Sequence, residues 1–397
     1  DQVRKFNLAQ VEIINKYSPG RPVSHNYMGH FTEFDHREVS QDLEIAAWDN
    51  YPLGFLQDMQ VIAREDKKLL QDCYRIGDPD FQAYHHDLYR GMGRLWVMEQ
   101  QPGTVNWAKY NPIPLKGAVR LWSWEAFAHD AEVVSYFRWR QAPYAQEQMH
   151  AGLMYRDNTP APGQEEAQQV SEEIEKIEMP ATEQSPIALV HDYEACWMTE
   201  LDGQTHDFHY TRLLLDFYKA VRMNGGSLDI VGKNADFTGY KLVIIPSLVH
   251  FQGEDLQRVI KSGAQILAGP RTGVKTPDFQ LPPELSLEGL GFQVRSVDAL
   301  PRDLPVPVEW NGIKGNFSVW REHGLTSGVS EGKSSDGMAV LTSGNQGSYL
   351  CGWPDQKLLN AIMKNQMQLA GLDVVELPEY LRVRRRGNLL FFTNYGT

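Results

Sequence analysis

One stretch of the sequence indicates both the fold and a functional site: Leu95-Trp96-Val97-Met98-Glu99-Gln100-Gln101-Pro102-Gly103. Four apolar residues run directly into the carboxylate of Glu99, and the chain then turns through Pro102-Gly103. A short apolar run bounded by turn residues is typical of a buried strand. Glu99 is therefore predicted to lie at the carboxyl end of a strand, where α/β barrels carry their catalytic groups. The alternative is a structural carboxylate that pairs with an arginine.

The first 155 residues alternate strand-like and helix-like segments. Short apolar runs predict strands at 22–29, 43–51, 94–99 and 132–138. Apolar residues at helical spacing predict helices at about 6–17, 56–75, 80–92 and 118–130. Strand–helix alternation of this kind predicts a parallel sheet. Four such units are half of a (β/α)8 barrel, which normally needs about 250 residues, so residues 1–155 are predicted to form half of a TIM barrel.

Three segments follow the predicted half barrel. Residues 156–185 combine loop residues with an acidic helix, which predicts a linker. Residues 186–373 show buried strands separated by helices, the pattern of a doubly wound α/β domain. The strands are predicted at 187–190, 228–231, 242–245 and 265–268, and the helices at about 208–224 and 254–262. Residues 374–397 predict a β-hairpin that turns at Gly387-Asn388 and begins a β-domain.

The composition excludes some classes of partner. The chain carries 51 acidic and 38 basic residues, a formal net charge of −13, and this argues against nucleic acid because its phosphates would be repelled. An acidic surface carries no such penalty for neutral sugars. No run reaches the ~18 consecutive apolar residues that a membrane span requires. The sequence therefore predicts neither a nucleic-acid partner nor a membrane-spanning segment.

The cysteines and the first residues bear on location. Cys73, Cys196 and Cys351 are far apart and show neither a disulfide framework nor the paired spacing of a metal site. This usage suits a reducing compartment and predicts a cytoplasmic protein. The segment Asp1-Gln2-Val3-Arg4 is not a signal peptide. Export is not excluded, because we expect further sequence upstream of Asp1.

Four stretches, taken together, resemble glycoside hydrolase family 42, the β-galactosidases. They are His25-Asn26-Tyr27-Met28-Gly29, Trp48-Asp49-Asn50-Tyr51-Pro52, Met98 through Trp107, and Tyr136-Phe137-Arg138-Trp139-Arg140-Gln141 continuing to Glu147-Gln148-Met149-His150. The matches come in the family's order, which makes the resemblance far more specific than one motif. It implies that the chain begins after the fourth barrel strand. It also implies that residues 186–373 form a noncatalytic trimerisation domain similar to class I glutamine amidotransferases.

The resemblance implies a two-carboxylate mechanism with one carboxylate visible. Retaining glycosidases place two carboxyl groups about 5–5.5 Å apart across the glycosidic bond. By resemblance Glu99 is the nucleophile. The family's acid/base is the glutamate of an Asn-Glu pair, and no such pair occurs in this sequence. We therefore expect the acid/base upstream of Asp1.

The resemblance also implies a set of sugar-binding residues. Trp107 and Phe137 match the apolar walls of the galactose site, Glu147 and His150 match groups that hydrogen-bond its hydroxyls, and Tyr51 matches a donor to the nucleophile. Each has a simpler alternative, because aromatic residues on strands usually belong to the core and Glu-x-x-His is common on solvated helices. Their spacing predicts that Glu147 and His150 share one helical face.

Other candidate clusters are read as structural. His85-His86-Asp87 resembles a metal cluster but falls within a predicted helix and matches scaffold in the family. Cys196 lacks the Gly-x-Cys-x-Gly turn of a strained nucleophile. The turn Gly269-Pro270-Arg271-Thr272-Gly273 lacks the glycine pattern of a phosphate loop. No metal site is predicted, since the family's zinc cysteines, where present, belong to the half expected upstream.

Two functions remain open from the sequence. The first is a retaining β-galactosidase that needs no cofactor, acts on lactose or galacto-oligosaccharides, and forms a homotrimer through its second domain. The second is a catalytically inactive fragment that acts only as a sugar-binding or oligomerisation module, because the acid/base is absent from the visible residues.

Overall fold

The computed structural model describes residues 2–58, 67–251, 253–282, 285–287, 289–301 and 303–396. The chain divides into two compact units. The first unit contains Asp1–Glu183 and Pro378–Thr397, and the second contains Gln184–Leu377. In the described ranges no helix is both long enough and apolar enough to cross a membrane.

The first unit is built around a four-stranded parallel sheet. Its strands, in spatial and chain order, are β1 (Ser24–Tyr27), β2 (Ile45–Asn50), β3 (Arg94–Gln100) and β4 (Val133–Tyr136). Its helices are α1 (Gln2–Tyr17), α2 (His36–Ser40), α3 (Pro52–Asp58), α4 (Lys67–Cys73), α5 (Phe81–Tyr89), α6 (Ala118–Ala128) and α7 (Pro162–Ile174). All residues of β2 and of α5 are buried, as expected of a parallel sheet covered by helices.

The four predicted strands are all present, and most of the differences lie at their ends. β1, β2 and β4 are shorter than predicted, and β3 extends one residue further, to Gln100. The helix predicted at about 80–92 ends at Tyr89 and continues as a short 3-10 turn, Arg90–Met92. The helix predicted at about 56–75 corresponds to α3 and α4 at its two ends, and its residues 59–66 lie outside the described ranges.

Contacts to α5 fix which side chains face each side of β2. The Trp48 indole Nε1 donates to His86 Nδ1 over 3.1 Å, and Asn50 Nδ2 donates to Gln82 Oε1 over 2.8 Å. Because side chains alternate along a strand, Asp49 lies on the opposite face. Burial lowers the pKa of His85 in the same helix to about 3, so the His85-His86-Asp87 stretch is packed scaffold.

The second unit contains a mixed sheet of 12 strands within the described ranges. Its first part comprises β5 (Ile187–Val190), α8 (Tyr193–Leu201), α9 (Tyr210–Met223), β6 (Leu228–Val231), β7 (Leu242–Ile245), α10 (Gly253–Lys261) and β8 (Gln265–Ala268). The remainder comprises β9 (Leu285–Ser286), β10 (Phe292–Ala299), β11 (Val306–Trp310), β12 (Ile313–Thr326), β13 (Val329–Ser334), β14 (Ala339–Ser343), β15 (Ser348–Leu350), β16 (Gly352–Pro354) and α11 (Gln356–Leu369).

The strand order of this sheet shows both a parallel and an antiparallel part. β6, β5, β7 and β8 are neighbours in that order and run parallel, as the sequence predicted for these four segments. β15 adds in parallel to β8, and β14, β13, β11, β12, β10 and β9 extend the sheet by antiparallel pairing. The sequence did not reveal this second part. The sheet is therefore mixed and not parallel throughout.

Two features of the second unit that invited chemical interpretations are structural. Cys196 is buried inside α8, and its thiol donates to Glu200 Oε1 over 3.4 Å. Arg271 is also buried, donates to the carbonyls of Asp202 and Gly203, and lies 4.7 Å from the centre of the Trp320 ring. The turn at 269–273 therefore anchors a neighbouring loop.

The last described residues form a hairpin within the first unit. β17 (Leu381–Arg386) and β18 (Leu389–Asn394) pair antiparallel and turn at Gly387-Asn388, as predicted. The Arg382 side chain is fully buried and donates to both carboxylate oxygens of Asp80, at 2.7 and 2.6 Å. Charge-assisted bidentate pairing of this kind fixes both position and orientation. The segment expected to begin a β-domain thus packs with residues of the first unit.

Candidate active site

Glu99 lies at the carboxyl end of β3, on the face of the sheet opposite α5. Its neighbour Gln100 accepts a hydrogen bond from Asn50 Nδ2 over 3.0 Å on the α5 side, which turns Glu99 the other way. A register shift after Trp48 places Asp49 directly opposite Glu99. The strand-end position predicted for Glu99 is therefore the position observed.

Tyr51 is the direct partner of Glu99. Its hydroxyl donates a short hydrogen bond to the Glu99 carboxylate. Burial, followed by this hydrogen bond and the Glu99 charge, raises the pKa of Tyr51 well above its usual range. Tyr51 therefore stays protonated and remains a donor, which stabilises a negative charge on Glu99.

Trp107 forms one wall beside this pair. Its ring centre lies 5.7 Å from that of Tyr51 at an interplanar angle of 88°, and 5.7 Å from that of Phe55. A Cβ at Gly54 would lie 2.5 Å from the indole, so only glycine leaves room for this packing. The Trp107 residue is 42% exposed, and an apolar ring face remains open to a ligand.

His150 and Phe137 extend the cluster of rings around Tyr51. The His150 ring centre lies 5.8 Å from that of Tyr51 and 5.2 Å from that of Phe137, both edge-on. Burial is the main cause of the lowered pKa of His150, so the ring is neutral at neutral pH. His150 Nδ1 lies 3.1 Å from the Ala151 carbonyl, which assigns the proton to Nδ1 and leaves Nε2 as an acceptor.

Glu147 lies at the edge of this cluster, in a turn. The predicted helical face shared by Glu147 and His150 is wrong, because residues 146–149 form a turn in which the His150 amide donates to the Glu147 carbonyl over 2.9 Å. Ala145 just before it has a φ of 72°, which is incompatible with a right-handed helix. Glu147 instead forms an ion pair with Arg138, whose guanidinium lies 4.6 Å from the Phe137 ring centre.

The structure thus brings the sequence-selected residues into one cluster of side chains, and it adds three that were not selected. The cluster contains Tyr51, Glu99, Trp107, Phe137 and His150, with Glu147 at its edge. The additions are Asn26, Asp49 and Arg138. Asp49 had a recognisable signal, because the apolar run Ile45-Ala46-Ala47-Trp48 leads into it just as 95–98 leads into Glu99.

Asp49 has an unusual environment for a carboxyl group. It is 9% exposed, and it accepts one hydrogen bond from Asn26 Nδ2 over 3.2 Å. Burial first, and then the charge of Glu99, raises the pKa of Asp49 to about 8. At neutral pH this group is therefore mostly protonated, unlike an ordinary aspartate.

One group of metal-ligand type occurs among the described residues, and it belongs to the second unit. Asp192, Glu194 and His250 place their ligand atoms within 4.8 Å of one another. The Lys233 ammonium lies 2.8 Å from the Glu194 carboxylate and 3.8 Å from that of Asp192, and also contacts His250. This lysine already neutralises the carboxylates, so the arrangement is an ion-pair cluster.

A strand-end carboxylate held by a tyrosine among open aromatic rings is typical of a glycoside hydrolase site. Comparison with known proteins agrees. Residues 1–177 match the family model for β-galactosidase, and residues 185–372 match that for the β-galactosidase trimerisation domain. The chain belongs to this β-galactosidase family, glycoside hydrolase family 42.

Curated relatives and solved structures share this assignment along the whole chain. A β-galactosidase of Thermus sp. is 47% identical over 100% of this chain and 62% of its own length, and one of Halorubrum lacusprofundi is 36% identical over 100% and 60%. The crystal structure of a β-galactosidase from the psychrophilic Marinomonas ef1 has a TM-score of 0.94 at 42% identity, covering 100% of this chain and 62% of that one. The chain therefore spans about three fifths of the length of these relatives.

Proposed function

We propose that the chain carries the nucleophile half of a retaining β-galactosidase that hydrolyses terminal non-reducing β-D-galactose. The observation that carries the proposal is the Tyr51–Glu99 hydrogen bond at the strand ends, beside the open face of Trp107. The relatives supply the sugar, because both curated proteins and the solved structure described above are β-galactosidases. Lactose and short galacto-oligosaccharides are the substrates we propose.

The proposed reaction is a double displacement. A Glu99 carboxylate oxygen attacks the anomeric carbon, the glycosidic bond breaks, and the departing oxygen takes a proton from the acid/base. Water then attacks the anomeric carbon of the galactosyl ester from the face that the departing group left, and gives its proton to the acid/base. The bond between the anomeric carbon and Glu99 breaks, which releases galactose and restores the Glu99 carboxylate. The acid/base is a glutamate that we place upstream of Asp1. The chemistry requires no cofactor.

The remaining residues of the site bind and orient the sugar in this proposal. Trp107 and Phe137 pack against apolar faces of the ring, while His150 Nε2 accepts from a hydroxyl. Glu147 accepts from another hydroxyl, and its ion pair with Arg138 fixes the direction of its carboxylate. Tyr51 donates to Glu99 before attack and is free to release that bond as the ester forms.

The same proposal covers architecture and assembly. We propose that residues 1–155 are the C-terminal half of a (β/α)8 barrel, that 156–185 are a linker, and that 374–397 begin a further β-domain. Residues 186–373 would assemble a homotrimer, supported by the match to a trimerisation domain. The order β6-β5-β7-β8 is that of a doubly wound sheet, which supports the likeness to glutamine amidotransferases. Cys73, Cys196 and Cys351 lie far apart in the sequence and show no disulfide framework, which supports the proposal of a cytoplasmic location.

The alternative is that this chain alone is a sugar-binding or oligomerisation module. The absence of an Asn-Glu pair from the sequence favours it, because loss of a general acid costs on the order of 10²–10⁴ in rate. The two functions differ in whether Glu99 reacts.

A mechanism-based label separates them. The chain is treated with a 2-deoxy-2-fluoro-β-galactoside carrying a dinitrophenyl group, which departs without protonation. The tryptic peptide Leu95–Lys109 is then examined for added sugar mass. We expect label on Glu99, none in Glu99→Gln, and unchanged label in Glu132→Gln, a carboxylate paired with Arg94 at the other end of β3. If a folded chain carries no label, Glu99 does not react, and the sugar-binding or oligomerisation module is the better interpretation.

A further inference from the structure

Two carboxyl groups lie side by side on one face of the first sheet. Asp49 of β2 is paired in register with Glu99 of β3. Asn50 and Gln100, the next residues on each strand, bond to each other on the α5 side, so both acids face the other way. Neighbouring strands are about 4.8 Å apart, which keeps the two groups close.

Among the described residues, none with a positive charge acts on Asp49. In the described ranges, the titratable groups that act on it or respond to it are Glu99 from β3, Tyr51 from the end of β2 and Tyr89 from α5. Asn26, from β1, is neutral. Two negative charges placed together in a partly desolvated site repel strongly, so such pairs hold one proton between them.

The hydrogen bonds decide which acid holds that proton. Glu99 accepts a hydrogen bond from the Tyr51 hydroxyl, and a donor of this kind stabilises a carboxylate anion. Among the described residues, Asp49 accepts one hydrogen bond, from the Asn26 amide over 3.2 Å. We propose that Asp49 is a positioning residue for Glu99: the pair shares one proton at neutral pH, Asp49 holds it, and Glu99 keeps the negative charge needed for attack.

This inference deepens the proposed function and rests on it for the role of Glu99. A neutral Asp49 leaves Glu99 as the single charged carboxyl of the pair, and it leaves an O–H next to the nucleophile that can donate. The raised pKa of Asp49 agrees with this arrangement. Without the hydrogen bond from Tyr51, nothing in this arrangement would favour Asp49 over Glu99 as the acid that holds the shared proton.

The direct test is a titration of the whole chain with 13C-labelled aspartate carboxyls, followed by NMR. We expect one resonance with a midpoint near pH 8, which disappears in Asp49→Asn. In Glu99→Gln the midpoint should fall by about one pH unit or more, because the neighbouring charge is gone. Glu132→Gln is the control and should leave it in place. A midpoint for Asp49 below about pH 5, or one that does not change in Glu99→Gln, would overturn the proposal that the two acids share a proton.

A second measurement tests the consequence for Glu99. We expect the fluorogalactoside to label Asp49→Asn faster than Asp49→Ala by about 10-fold at neutral pH, because asparagine imitates the neutral acid. Equal loss in the two variants would overturn the positioning role. The titration needs no turnover, so failure of the wild-type chain to react contradicts the proposed function without touching the titration result.

Discussion

Both units carry carboxylates near the carboxyl ends of parallel strands, within β2 and β3 in the first unit and at the start of α8, which follows β5, in the second. The surroundings of these carboxylates differ. In the first unit Glu99 and Asp49 lie next to a tyrosine and an amide. In the second, Asp192 and Glu194 lie around the ammonium of Lys233. A carboxylate neutralised by a lysine is held as an ion pair, whereas in the Asp49–Glu99 pair we propose that Asp49 holds a proton and leaves Glu99 with a charge with which it can react. The partner, and not the topology, separates the two clusters.

The largest expected effect is on chemistry in the first unit. Glu99→Gln should lower hydrolysis or labelling of a dinitrophenyl galactoside by on the order of 10³-fold or more, since the attacking oxygen is lost. The matched change Glu194→Gln in the second unit should leave the rate unchanged. Steady-state release of dinitrophenol measures both, and equal effects would erase the contrast between the clusters.

The tyrosine contact should have the next largest effect. Tyr51→Phe removes the hydroxyl that donates to Glu99, and we expect about a 10-fold slower labelling rate because the charge is less well held. Tyr110→Phe, at an exposed tyrosine outside the cluster, is the control. A rate in Tyr51→Phe equal to that of the control would show that the hydrogen bond does not prepare the nucleophile.

Asp49 should affect the stability of the first unit in a pH-dependent way. Burial is the main cause that raises the folded-state pKa of Asp49 from 3.8 to about 8. The stability that protonated Asp49 contributes is therefore fully present below about pH 3.8 and is lost as the pH rises to about 8. We expect Asp49→Asn to increase the free energy of unfolding of the first unit, with the gain larger near pH 8 than near pH 4. Urea denaturation at several pH values measures this.

The control for that experiment is Asp278→Asn, an exposed aspartate in the second unit. It should show no pH-dependent gain. If the free energy of unfolding of Asp49→Asn increases by the same amount at every pH in this range, the effect comes from the packing of the side chain and not from protonation of Asp49.

The smallest effect should appear at the lysine. Lys233 lowers the pKa of His250, although burial is the larger cause. Lys233→Met should therefore raise the pKa of His250, since the carboxylates are then left facing the imidazole. Imidazole NMR measures the shift. An unchanged or lower pKa of His250 would mean that the lysine does not control the charge of this cluster.

The sequence predicted those parts whose signal is local. Runs such as 95–98 and 242–245 form strands, as the sequence predicted, because each is apolar throughout. β13 (Val329–Ser334) was missed because most of its residues are polar, all but Ser334 are exposed or half-exposed, and it includes a glycine, so the neighbouring strands determine its conformation. The turn at 146–149 was missed for a related reason, since Glu-x-x-His spacing cannot reveal the positive φ of Ala145. The proximity of Tyr51 to Glu99 depends on strand register, which the spacing along the chain does not contain.

The Asp80–Arg382 pair has a consequence for how the chain is made. The two residues are 302 positions apart, and the second unit lies between them in the sequence. As the chain emerges from the ribosome, residues 184–377 are all available before Arg382 exists. The second unit can therefore fold first during synthesis. Until Arg382 has been synthesised, Asp80 of the first unit lacks the arginine that neutralises it in the folded chain. The part of the molecule that carries Glu99 is thus among the last to be completed.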